Sequence, residues 1–261
     1  MPFHQHETIR YYQFELFDGL DLVHAVFTRQ GGVSPAPWAS LNVGGTVGDS
    51  VENVIENRRR SFAALGRKIE TLFDVWQIHS ADVVIADAPR PPAEAHRKAD
   101  IILTDKPSVT LYMRFADCTP IYLYDPIHKV VGLAHAGWIG TVKKVAAAAV
   151  KAMQERYASR AADILAGIGP SICVDHYPVG PEVVLKVEEA YGSDAQGLLV
   201  KKNGQVHFNL WAANHLALEQ CGVKNIQVSQ ICTACNVDDW FSHRAENGKT
   251  GRFGGLIALK T

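Results

Sequence analysis

The chain has 261 residues, 47% hydrophobic and 20% charged, with a formal net charge of −1. This supports a sizeable apolar core in one large domain or two small ones. It gives no reason to expect a surface for nucleic acid or an anionic membrane. No apolar run approaches the ~18 residues of a membrane span, and residues 1–10 lack the hydrophobic stretch of a signal peptide. Five scattered cysteines argue against a disulfide framework, so a reducing cytoplasm is the expected compartment.

In chain order, residues 1–20 are expected to be partly mobile. They carry one H-x-H pair, His4 and His6, a spacing that copper oxidases use; no second such pair exists, so it reads as adventitious. Residues 22–28 alternate apolar and polar and predict a strand. Residues 31–49, rich in Gly, Pro, Ser and Asn, predict a long functional loop. Helical spacing covers 51–65, with Asp49 or Ser50 as cap and Gly66 as stop. Strands are predicted at 72–78, 83–86 and 101–104, with an exposed loop over 86–98. Three more follow at 109–115, 121–124 and 130–134, the turn Asp125-Pro126 separating the last two. An Ala-rich helix runs from Gly140 to about Tyr157. A buried strand at 164–168, helices at 181–191 and 210–220, and strands at 226–231 and 253–259 complete the chain. Helices and strands mix without strict βαβ alternation, which predicts an α+β fold.

Three segments carry soft-metal ligands at predicted strand ends: Gln77-Ile-His79-Ser80, Ala116-Asp-Cys118 and Ala134-His135-Ala-Gly137-Trp138. Singly, a cysteine reads as a small hydrophobe and a histidine as a satisfied polar residue. Together, His79, Cys118 and His135 form a three-ligand zinc set with one coordination position open, as catalytic sites have. Asp117 is a candidate ligand orienter or proton shuttle. Gly137 permits close backbone approach, and Gly140 a tight turn into the helix. The pair Cys232-Thr-Ala-Cys235 has no second C-x-x-C to complete a structural zinc site and reads as packing. Gly167-Ile-Gly-Pro170 lacks the remainder of a P-loop but offers backbone N–H groups to an anion. Thr250-Gly-Arg252 is a phosphate-contacting set. Of Arg58, Arg59 and Arg60, spread around a helix, one or two face a site.

These segments, with Phe27-Thr-Arg-Gln-Gly-Gly-Val-Ser34, Ser40-Leu-Asn-Val43, Val47-Gly-Asp49, Asn57-Arg58, Asp125-Pro126, Gly169-Pro170, Tyr177, Val179-Gly180, Cys232-Thr233, Phe241-Ser242 and Thr250-Gly-Arg252, resemble the laccase-domain family. That family was once called multicopper polyphenol oxidases and is now regarded as purine nucleoside phosphorylases. The resemblance runs from about Val26 to the C-terminus. It implies a single laccase-like domain over 1–261, layered α/β/β/α. It implies zinc, rather than copper, on His79, Cys118 and His135. It also implies phosphorolysis of adenosine, inosine and S-methyl-5′-thioadenosine, with some adenosine deamination. In that reading Asp117, Cys118 and His135 are catalytic. Arg58, Arg244 and Arg252 position phosphate, and Asn42 and Ser80 are further substrate contacts. The partners are purine nucleosides and phosphate, not nucleic acid or membrane. The chain departs from the family pattern at Ile139, usually basic, at Pro178, usually Glu, and at His243 and Ala245 in an aromatic-Ser-Tyr-Arg-Arg stretch.

Three other readings use the same residues. Cys118 and His135 could act as a thiol hydrolase or deamidase pair; the family's fold resembles that of a glutamine-deamidating toxin. Copper-dependent phenol oxidation requires more clustered histidines than the chain offers. A metal that merely holds strands together would make the chain a non-enzymatic module.

Overall fold

The computed structural model describes residues 2–260. Its strands are β1 (Phe3–His6), β2 (Ile9–Tyr12), β3 (Leu22–Phe27), β4 (Leu72–Phe73), β5 (Val83–Ile85), β6 (Ile101–Thr104), β7 (Thr110–Phe115), β8 (Thr119–Asp125), β9 (Val130–Ala136), β10 (Leu165–Ile168), β11 (Pro178–Val179), β12 (Leu199–Lys202), β13 (Gln205–Phe208), β14 (Asn225–Val228) and β15 (Phe253–Leu259). Its α-helices are α1 (Val51–Ala63), α2 (Trp138–Val142), α3 (Val145–Tyr157), α4 (Pro181–Tyr191), α5 (Ala195–Leu198) and α6 (Leu210–Gln220).

Two six-stranded sheets stack face to face. One runs β1-β2-β3-β15-β7-β4 and the other β14-β10-β8-β9-β6-β5. Side-chain alternation decides which layer each residue joins. Met113 and Phe115 of β7, Tyr122 and Tyr124 of β8, and Val131 and Leu133 of β9 fill the space between the sheets. Ile121, Leu123, Ala134 and Ala136 point the other way, onto the Ala-rich face of α3 and onto Ala217 and Leu218 of α6. On the far side, Ala25, Phe27, Tyr112 and Leu256 cover Phe62 of α1. The result is a single α+β domain in α/β/β/α layers. Both faces of β8, β9 and β15 are covered, which is why these strands read as nearly unbroken apolar runs. No helix among the described residues is long and apolar enough to cross a membrane.

Several elements differ from the sequence reading. The 72–78 strand stops at Phe73; Asp74 is then buried among arginines, and only a single bridge, Trp76 to Lys98, follows. His79 therefore sits in a loop, with φ +59°, rather than at a strand end. The helix expected from Gly140 is two helices, because Lys144 adopts a left-handed conformation between α2 and α3. The 226–231 strand ends at Val228, before Gln230 turns at φ +55°. Residues 3–12, within the stretch expected to be partly mobile, form the antiparallel β1–β2 hairpin at the sheet edge. The β12–β13 hairpin lies outside the predicted elements, although its Asn203-Gly204 turn is a strong short-range hairpin signal.

Candidate active site

The site lies where the chain crosses from one sheet to the other. Phe115 ends β7 in the first sheet and Thr119 begins β8 in the second. Residues 116–118 make the crossing, with Asp117 at φ +75°. The β8–β9 register pairs Pro120 with His135, which brings Cys118 next to that imidazole. The loop ahead of β5 brings His79 to the same point. The ligand atoms of His79, Cys118 and His135 all lie within 4.8 Å of one another, and the centroids of the two imidazole rings are 5.0 Å apart, the planes inclined at 68°. Gly137 completes the enclosure: a Cβ there would meet Cys118 Sγ and His79 Cδ2, each at 2.9 Å.

A residue not singled out in the sequence, Asp100, organises this constellation. It precedes β6 and is fully buried. Its Oδ1 accepts from His135 Nδ1 at 2.8 Å, and its Oδ2 accepts from the backbone N–H groups of Ile78 and Ser80 at 3.0 and 2.6 Å. One carboxylate thus fixes the His135 ring, leaving Nε2 for Cys118 or a metal, and also fixes the loop bearing His79. Burial pushes the Asp100 carboxyl up, but the His135 imidazole and the two N–H donors outweigh it and hold the pKa at about 2. Burial likewise raises the Cys118 thiol, and His135 overrides this to bring it to about 6. His135, which burial alone would lower, is held at about 9 by Cys118 and Asp100. The pair titrates as a unit and favours thiolate with imidazolium at neutral pH. The thiolate is the form that both metals and electrophiles require.

These side chains open into a cavity of about 710 Å³, also lined by Arg58, Arg114, Arg244 and Arg252 and by the rings of Trp76, Trp138, Tyr177 and His243. Asp74, with its side chain 1% exposed, anchors the guanidinium side. It bonds Arg90 at 2.8 Å and His96 at 3.1 Å, and lies 3.6 and 3.5 Å from Arg58 and Arg114. Burial opposes its ionisation, but Arg114 and Arg58 hold its carboxyl below the ordinary range. Burial and neighbouring Arg58 lower Arg114 to about 10, so it remains a cation at neutral pH. Gln77 clamps Arg114 through three hydrogen bonds, tying the His79 loop to β7.

Of the proposed substrate contacts, Arg58, Arg244 and Arg252 reach the cavity, while Asn42 and Ser80 stand behind its wall. Asn42 is fully buried; its Oδ1 accepts from the backbone of Gly44 and Arg252 at 3.0 and 2.9 Å. The Ser80 hydroxyl accepts from Asp82 N–H. Both position other residues. Asp117 accepts from Thr233 Oγ1 at 2.7 Å and from the backbone N–H of Arg244 at 2.6 Å, which suits an orienting role. Of the arginine run, Arg59 and Arg60 pair with Glu56 on the helix surface. Gly167 and Gly169 form no anion cradle: Gly167 lies in β10 opposite Tyr122, and Gly169 N–H donates to Pro120. Arg114, Asp74 and Asp100 carried no motif. The available signal was a charged residue inside an apolar stretch, as Arg114 is in β7.

The chain and its fold have counterparts among known proteins. The family described as multi-copper polyphenol oxidoreductase laccase matches residues 23–260. The chain belongs to this laccase-domain family. Among its relatives, a purine nucleoside phosphorylase of Deinococcus radiodurans is 37% identical over 92% of this chain and 90% of its own length. The crystal structure of YlmD from Geobacillus stearothermophilus superposes with a TM-score of 0.92 at 34% identity, covering 100% of this chain and 99% of that one. Bacillus licheniformis YfiH gives the same TM-score at 33% identity, covering 99% of both chains.

Proposed function

We propose that this laccase-domain protein is a purine nucleoside phosphorylase that cleaves adenosine, inosine and S-methyl-5′-thioadenosine, with zinc-dependent adenosine deamination as a side activity. The observation that carries this reading is one cavity lined both by the His79–Cys118–His135 set and by four arginines. Relatives named purine nucleoside phosphorylase support it. The volume falls in the range of small-molecule sites, roughly 300–1,000 Å³.

In phosphorolysis, phosphate attacks the anomeric carbon of the ribose as the purine leaves. Arg58, Arg114 and Arg252 present fixed positive charge to the phosphate, so the nucleophile is held without reorganisation of water. Trp76, at 47% exposure, and Tyr177 offer flat faces for the base. The donor set fits zinc: two imidazoles and a lowered-pKa thiol, a carboxylate behind one imidazole, and no Cβ at residue 137. Bound there, zinc would supply Lewis-acid polarisation and the means to activate water for deamination. Copper suits the same ligands, but a multicopper centre needs several adjoining sites. Among the described residues the only other His/Cys/Asp/Glu cluster shares no residue with this one.

The test is product analysis by chromatography on protein of known metal content, with adenosine and then the other two nucleosides, with and without phosphate. Adenine and ribose 1-phosphate should form only with phosphate and be lost in Cys118→Ala. Inosine formed without phosphate dependence would reassign the protein as a deaminase, and no product from any of the three nucleosides would refute the reading. A second reading is favoured by the Asp100–His135–Cys118 alignment, which matches a thiol hydrolase. Under it, chelators leave activity intact while Cys118→Ser abolishes it.

A further inference from the structure

The C-x-x-C pair read as packing acquires partners in the fold. The turn after β10 brings Cys173 and His176 against Cys232 and Cys235, and the four ligand atoms lie within 4.8 Å of one another. His176 Nδ1 stands 3.4 Å from Cys173 Sγ, 3.8 Å from Cys232 Sγ and 3.4 Å from Cys235 Sγ. A tetrahedral zinc with Zn–S of about 2.3 Å and Zn–N of about 2.0–2.1 Å separates N from S by about 3.6 Å. One imidazole nitrogen facing three sulfurs at that spacing is the edge pattern of a Cys₃His tetrahedron. The backbone N–H of Cys173 also donates to Cys232 Sγ at 3.3 Å, the kind of contact that stabilises a thiolate.

We infer that Cys173, His176, Cys232 and Cys235 bind a second zinc ion, structural in kind, that staples the segment after β10 to the loop after β14. Four protein ligands close the coordination sphere, in contrast to the three-ligand set in the cavity. The ligands come as two short-spaced pairs, C-x-x-H and C-x-x-C, with His176 and Cys232 56 positions apart. Each pair alone is too small to hold a structural ion, and the fold supplies the other half. Backbone pairing already aligns the two segments: Ser171 N–H donates to Ile231 and Thr233 N–H to Ser171. The staple bears on the cavity wall. Tyr177 follows His176 directly and lies under the Arg244 guanidinium at 5.1 Å, and Thr233 holds Asp117. Cys221, the remaining cysteine outside the cavity, belongs to neither cluster. This inference is independent of which reaction the cavity performs.

The test is zinc content per chain, by elemental analysis of the purified full-length protein prepared with zinc. Wild type and Cys221→Ser should hold equal zinc, and Cys235→Ser and His176→Ala one equivalent fewer. Cys235 and His176 are both exposed, so these variants should fold. In cobalt-substituted protein, thiolate-to-metal charge-transfer absorption should fall further in Cys235→Ser than in Cys118→Ala, since three thiolates serve this site and one the other. Zinc content unchanged in both Cys235→Ser and His176→Ala would overturn the inference. So would a non-reduced mass lower by two hydrogens, marking a disulfide among Cys173, Cys232 and Cys235. Loss of zinc in these variants supports it whether or not nucleosides are cleaved.

Discussion

Across the cavity, the thiol–imidazole wall and the guanidinium wall each turn on one buried carboxylate, and the two carboxylates work differently. Asp100 makes short, directional bonds to one imidazole and two backbone N–H groups. Asp74 faces three guanidiniums and an imidazole, two of these groups in close contact and two at about the limit of an ion pair. The first arrangement fixes positions, as a ligand set must be fixed for a metal or for proton transfer. The second balances charge, so that cations can be gathered at a place where they would otherwise repel. A phosphate site needs the field more than it needs exact bond angles, whereas a metal site needs both.

The comparison can be broken most forcefully at Asp74. In Asp74→Asn the partly buried guanidiniums lose their counter-charge, and we expect a loss of about 3 kcal/mol in stability by chemical denaturation, together with a raised KM for phosphate. Because the Asp74 carboxyl is held below its ordinary pKa, its contribution is present above about pH 4 and lost as pH falls through the folded-state value. The difference between wild type and variant should therefore shrink in acid. An unchanged denaturation midpoint would show that the arginines do not need it.

Asp100→Asn tests the other wall. Zinc affinity at the cavity site should fall roughly 10–100-fold, measured by competition with a chromophoric chelator, with a smaller loss of global stability than for Asp74→Asn. Equal zinc affinity in wild type and variant would deny Asp100 its orienting role.

His24 sharpens the comparison from outside the cavity. Its Nε2 accepts from Phe14 N–H at 2.8 Å, and burial, with a smaller contribution from His4, lowers its pKa to about 3. Between that value and the ordinary pKa near 6.5, the unfolded chain binds the proton and the folded chain does not, so stability falls as pH falls. From pH 7 to pH 5 the loss should be about 2 kcal/mol. His24→Gln, which keeps an acceptor and removes the titration, should flatten this part of the pH profile. If the profile keeps its slope, the acid sensitivity resides in the cavity walls.

The smallest effect is expected on the outer face of α1. Arg59→Ala removes an exposed pair with Glu56 and should leave the denaturation midpoint essentially unchanged. Arg58→Ala, one residue earlier, should raise the KM for phosphate. Equal kinetic effects of the two substitutions would contradict the assignment of Arg58 to the cavity.

What was legible in the sequence was whatever depends on near neighbours. Apolar runs marked β7, β8, β9 and β15, helical spacing with a cap and a stop marked α1, and helices were expected where α4 and α6 lie. The three ligand-bearing segments could be recognised because each sits beside small or turn-forming residues. Tertiary structure alone decided the rest. Asp100 reaches His135 only because β6 pairs with β9, and Asp74 meets Arg58, Arg90 and Arg114 although they lie in separate parts of the chain. Cys173 and His176 meet Cys232 and Cys235 only because β10 lies beside β14. Local pattern reports the conformation and burial of a residue, but convergence of distant charges and ligands depends on strand register and layer packing, which leave no periodic trace in the sequence.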